Sequence, residues 1–129
     1  MEPDDLSARV WRGRAASVAR AVVPTGFSEL DRFLPGGGWP VGALTEVFLA
    51  RYGIGELSLL MPAMAALTSA QGAPKWVAWV APPFVPYAPA LRQHGVDIDR
   101  LLMIHPTPSR RERCWAVEQV VRSDSSAGV

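Results

Sequence analysis

Residues Thr25–Leu57 read TGFSELDRFLPGGGWPVGALTEVFLARYGIGEL, and the order of the pieces decides the fold. A turn-rich lead-in is followed by a segment of strand composition at Ala43–Leu49. A glycine-bearing loop at Arg51–Gly55 comes next, and then an apolar helix from Glu56. Strand, glycine loop and helix in that order form the junction at which a phosphate-binding loop sits. There the pattern G-x-x-x-x-G-K-[ST] supplies glycine amides that cradle phosphates, a lysine that reaches the outer oxygens and a hydroxyl that holds magnesium. Here Gly55 is followed by Glu56 and Leu57, and the place of the first glycine falls near Leu49. A carboxylate in the lysine position repels a triphosphate, and leucine cannot coordinate a metal. The chain's one lysine is Lys75, well outside the loop. The segment Arg51, Tyr52, Gly53, Ile54, Gly55, Glu56, Leu57 thus keeps the layout of a degenerate P-loop without its chemistry. The expectation is no catalytic residue, no cofactor and no metal.

Composition narrows the class. A chain of 129 residues holds one hydrophobic core and is short for two ordinary domains. Apolar residues make up 49%, charged residues 19% and the net charge is +1, so no global charge bias points to a nucleic-acid or membrane coat. No apolar run reaches the roughly 18 residues of a membrane span. The opening MEPDDLSARV is acidic and lacks the apolar centre of a secretory signal. A single cysteine, Cys114, allows no internal disulfide and no cysteine-rich zinc site. A cytoplasmic location is the expectation.

Along the chain, helix-like and strand-like pieces alternate. Residues 1–22 read as an N-terminal arm or short helix with a thin apolar stripe of Leu6, Val10 and Trp11. Pro35–Pro40 (PGGGWP) is a hard break, read as a flexible turn because no helix N-terminus follows to hold a phosphate. Glu56–Ser69 is apolar nearly all round, as a helix buried on a sheet would be, with a kink or a late regular start at Pro62. Lys75–Val80 and Leu101–Ile104 suit buried parallel strands. Tyr87–His94 reads as a helix capped by Gly95. Arg110–Ser123 reads as a helix with Cys114, Val117 and Val121 on its apolar stripe and Glu118 and Arg122 spaced as an ion pair. Strands alternating with helices imply βαβ units and a parallel α/β sheet with flanking helices over residues 23–129.

Here the residues carry a resemblance. The string TGFSELDRFLPGGGWPVGALTEV (25–47) resembles the segment leading to the ATP site of the RecA family, and ALRQHGVDIDRLLMIHP (90–106) resembles a helix-to-strand passage of the same family. The phrases VWRG, PGGGWPVGALTE, GIGELSLLMPA and WVAPPFVPYAPAL are similar to ImuA, a SulA/RecA-like family of bacterial SOS mutagenesis operons. The resemblance implies a RecA-like core used as a scaffold. It implies a non-catalytic accessory role in SOS-induced, error-prone translesion DNA synthesis during the response to DNA damage. The implied partners are an inactive Y-family polymerase relative, RecA and an error-prone C-family polymerase. Where RecA places a catalytic glutamate, this chain has Ala81-Pro82-Pro83. The alternative is a SulA-type inhibitor of cell division that binds the tubulin-like division protein. RecA-like cores continue past the helix at Arg110–Ser123 into another central strand, so the core is expected to be truncated at the C-terminus. Only three core strands are identifiable, at Ala43–Leu49, Lys75–Val80 and Leu101–Ile104. That would leave an open edge and a tendency to self-associate.

Candidate contact residues follow from side-chain chemistry. Phe84, Tyr87 and Trp39 stand in proline- or glycine-rich loops, either as partner-binding anchors or as a lid on the core. Arg110, Arg111 and Arg113, with Arg9, Arg12 and Arg14, could meet an acidic partner or make weak direct contact with DNA phosphates, or form a solvated face. His94 and His105 show no ligand spacing and read as cap or surface residues. Asp97 and Asp99 read as turn and cap residues, and Cys114 as buried filler.

Overall fold

The computed structural model describes residues 21–69, 76–123 and 126–128. The arm up to residue 20, with Arg9, Arg12 and Arg14, lies outside the described residues, as does Lys75. The chain divides into two compact units, one ending at Ala50 and the other beginning at Arg51. Among the described residues it is a mixed α/β protein with four α-helices and two small sheets. No helix among them is long and apolar enough to cross a membrane.

In the first unit, β1 (Val22–Val23) pairs antiparallel with β2 (Trp39–Pro40), and the short helix α1 (Ser28–Asp31) lies between them in sequence. Thr25 explains why the lead-in holds its shape. It is fully buried, its amide donates to Asp31 Oδ1 at 3.0 Å, and the Phe27 amide donates to its hydroxyl oxygen at 3.0 Å. The triple glycine forms a turn. Gly36 and Gly37 both take φ 81°, a conformation open to glycine. A Cβ on Gly38 would stand 2.5 Å from the Val23 carbonyl oxygen, so the close approach of the chain to β1 requires its absence.

The second unit runs α2 (Glu56–Ser69), β3 (Trp76–Val80), α3 (Ala88–Gln93), a 3-10 turn (Ile98–Arg100), β4 (Leu101–Ile104), α4 (Arg110–Arg122) and β5 (Ser126–Gly128). Strand β3 is central and parallel to both neighbours, with Val77 opposite Leu101 on β4 and Trp76 opposite Ser126 on β5. Alternate residues of a strand point to opposite faces. Val77 and Trp79 pack in a cluster with Met61 and Met64 of α2, Leu91 of α3 and Val96. Val80 instead shares a cavity with Cys114 and Val117 of α4. Helices α2 and α3 therefore cover one face of the sheet and α4 the other.

Helix α3 stops as the glycine at position 95 predicts. Gly95 takes φ 83°, its amide donates to the Arg92 carbonyl at 2.9 Å, and the Val96 amide donates to the Leu91 carbonyl at 3.1 Å. Val96 and Leu91 then pack together in the core, completing the double-bonded helix end. Helix α2 is regular ahead of Pro62, since the Leu59 amide already bonds the Gly55 carbonyl at 3.1 Å. It buries Met61, Ala63, Met64 and Thr68 while Leu57 and Ala66 stay exposed, a narrower buried face than its composition implied.

One strand is corrected. Ala43–Leu49 is not in a sheet, and Leu44 and Phe48 are 88% and 90% exposed. Branched and aromatic composition favours a strand only where a ladder partner and packing are available. The third strand of the large sheet is instead Ser126–Gly128, a Ser-Ala-Gly run that no strand propensity would select. The cysteine reading also changes. Cys114 is exposed, and α4 turns Ala116 and Val120 inward instead.

Thr68 ties α2 to the turn before β4. Its buried hydroxyl donates to the Met64 carbonyl at 2.8 Å and accepts from the Asp97 amide at 3.0 Å. Thr68→Val keeps the shape and leaves that amide without its acceptor, so denaturant unfolding should show a loss of about 1–3 kcal/mol. Thr68→Ser, which keeps the oxygen, should lose clearly less; equal losses would assign the effect to packing.

Candidate functional site

The loop at Arg51–Gly55 turns through two glycines, Gly53 at φ 80° and Gly55 at φ 111°. Its amides converge on a single acceptor group, the Glu56 carboxylate. Gly53 donates to Oε1 at 2.8 Å, and Ile54 and Gly55 donate to Oε2 at 3.0 and 3.2 Å. The Gly55 carbonyl accepts the first α2 bond, from Leu59, so Glu56 stands in the first turn of the helix, where negative charge is favoured. The Gly53 amide bond is the largest cause holding the Glu56 carboxyl below its ordinary pKa, followed by its own amide; some desolvation opposes them, and Ile54 and Gly55 add to the lowering. The amides that a phosphate-binding loop would aim at phosphate oxygens are thus taken by the residue in the lysine position. The carboxylate at position 56 was legible in the sequence, and this internal capping was not. Its signal is a glutamate directly after a Gly-x-Gly turn, which supplies both the donors and their acceptor.

A second loop meets the first. Strand β3 is followed by Ala81, which takes the left-handed φ of 50° while its amide donates to the Ile104 carbonyl at 2.8 Å. Such a conformation is strained for a residue with a Cβ, and it turns the chain outward into Pro82-Pro83. The loop then returns to pack edge-on against Arg51–Gly55, with the Phe84 and Tyr52 rings 5.9 Å apart at 84°. Phe84 and Tyr87 remain 70% and 74% exposed. Beneath Tyr87, a groove of about 180 Å³ runs between α2 and α3, lined by Leu57, Met61, Pro86, Leu91 and His94 among others.

Of the residues singled out in the sequence, the structure brings together Tyr52, Gly53, Ile54, Gly55, Glu56, Phe84 and, through the groove, Leu57 and Tyr87. Trp39 belongs to β2 of the first unit, half-buried, with an indole N–H that has no partner among the described residues. Arg110, Arg111 and Arg113 form a separate exposed cluster at the start of α4. Asp97 does cap a turn, accepting from the Asp99 amide at 3.0 Å. His94 stands at the α3 C-cap and His105 is exposed beyond β4. Among the described residues, no three of the His, Cys, Asp and Glu side chains converge as a metal site requires. Groove residues Met61 and Leu91 were read only as helix positions, because nothing in their spacing marks them apart from core.

No family model matches the chain, and no curated protein matches it.

The lowered Glu56 pKa fixes the sign of a pH effect. Loop order contributed by the ionised carboxylate is complete above the ordinary glutamate value of about 4.3 and is lost as pH falls through the lower folded value. Amide NMR of Gly53, Ile54 and Gly55 should therefore show a common titration with its midpoint below the ordinary value, absent in Glu56→Gln. Amide signals that ignore pH, or the same titration in the Gln variant, would contradict the geometry.

Proposed function

We propose that this chain is a RecA-like, non-catalytic adaptor in SOS-induced, error-prone translesion DNA synthesis. The observation that carries the loss of nucleotide chemistry is the Glu56 carboxylate held by the amides of Gly53, Ile54 and Gly55. A triphosphate would have to displace a tethered anion and then find neither a lysine nor a hydroxyl at Glu56 and Leu57. The resemblance of residues 35–46 and 53–63 to the ImuA family gives the biological setting. In that setting the partners are an inactive Y-family polymerase relative, RecA and an error-prone C-family polymerase, met in the cytoplasm.

The loop pair is suited to protein binding. Four prolines, at positions 82, 83, 86 and 89, stiffen the segment after β3 and lower the entropy lost on docking. Tyr52 and Phe84 brace one another, and Tyr87 rims an apolar groove. The site lies at the carboxyl end of a parallel strand, where open α/β sheets place their ligands.

Phe84→Ala combined with Tyr87→Ala should weaken capture of the purified polymerase relative by about thirtyfold or more, the scale of a hot-spot pair. The melting midpoint should move by only a few degrees, because both rings are largely exposed. A collapsed midpoint with unchanged binding per folded molecule would make them core residues.

A further inference from the structure

We propose that the α4 face of the second unit is a separate docking site for an acidic amphipathic helix of a protein partner. Helices pack about 10 Å apart and strands about 4.8 Å, so one helix covers roughly two strands. Helix α4 packs on β3 and β5 and buries only Ala116 and Val120. On the same sheet face Leu102 of β4, in register with Ala78, is exposed. The helix itself carries an unused stripe, with Cys114, Val117 and Val121 at i, i+3 and i+7, all exposed. A trough of about 420 Å³ lies between the end of β3 and this stripe, lined by Val80, Ala81, Arg113, Cys114 and Val117. Its apolar floor and helical wall suit the apolar face of one further helix.

Charge selects the partner. Arg110, Arg111 and Arg113 stand in the first turn of α4, where the helix dipole disfavours cations. None of the three forms an ion pair among the described residues. The carboxylates of the same helix are committed elsewhere: Glu112 accepts from the Thr107 hydroxyl, and Glu118 pairs with Arg122 at 2.8 Å. The Arg113 guanidinium donates to the Pro108 carbonyl at 3.0 Å. Three guanidinium groups without an ion-pair partner among the described residues complement an acidic helix that lays its apolar face on Val117, Val121 and Leu102. A phosphate backbone would satisfy the arginines but leave that aliphatic stripe uncovered.

The test uses the full chain and three labelled probes: an 18-residue amphipathic helix with leucines on one face and glutamates flanking them, the same peptide with lysines for glutamates, and a 20-nucleotide single strand of DNA. Fluorescence anisotropy should show binding of the glutamate peptide at least tenfold tighter than the lysine peptide. Arg110→Glu with Arg111→Glu should abolish that preference while leaving the fold intact or more stable, since acidic residues suit a helix N-terminus. Val117→Ser should weaken the glutamate peptide by at least fivefold. Amide shifts induced by that peptide should cluster on α4 and β4, and Phe84→Ala with Tyr87→Ala should leave its affinity unchanged, so the outcome is distinct from that of the loop site. Equal binding of the two peptides, shifts elsewhere, preference for the DNA strand, or a self-dimer that Val117→Ser dissolves would each overturn the proposal.

Discussion

Parallel pairing on both edges of Trp76–Val80 constrains everything in the second unit. Val77 and Ala78 are almost inaccessible, so their side chains must be met by helices on two opposite faces. One face is filled generously, by the methionines of α2 with Leu91 and Val96. The other is filled thinly, by the Ala116 and Val120 side of a single helix. The same strand determines where the chain leaves the sheet. At Ala81 the backbone takes a left-handed turn, and the proline-rich loop starts at the carboxyl edge beside the first turn of α2.

That position puts two loops within reach of one another, and the chemistry of Glu56 is local to the first of them. A helix N-terminus offers unsatisfied amides and a positive end of a dipole. In a working phosphate site those donors wait for a ligand. Here they are satisfied by a side chain one residue inside the helix, at 2.8–3.2 Å. Since the acceptor is covalently attached, little translational entropy is lost in filling the nest. A free anion must compete with a group that is always present. The same loop carries Tyr52, whose ring packs edge-on against Phe84.

Much of this was legible in the sequence. The glycine after α3, the Glu118–Arg122 pair and the Asp97 cap are local devices, made by residues within a turn of one another, and each is where its spacing predicts. The helices at Glu56–Ser69 and Arg110–Arg122 were equally clear from length and composition. What failed depends on distant chain. Ala43–Leu49 has strand composition but no ladder partner, while Ser126–Gly128 has a partner and no strand composition. The rotation of α4 was misjudged because two apolar faces, 114/117/121 and 116/120, fit a helical period equally, and only the sheet decides between them. At the site, the carboxylate and the leucine that follow Gly55 were readable by position. The convergence of three amides on Glu56 needed the φ values of Gly53 and Gly55, which sequence alone does not give.

Calorimetric titration of the chain with Mg-ATP, at pH 7 where Glu56 is ionised, addresses the filled loop most directly. The absence of any saturable heat at tens of micromolar protein is the result expected of a nest closed by its own carboxylate. A dissociation constant in the low micromolar range would show that the Glu56 carboxylate yields its amides to a phosphate, and would contradict the claim.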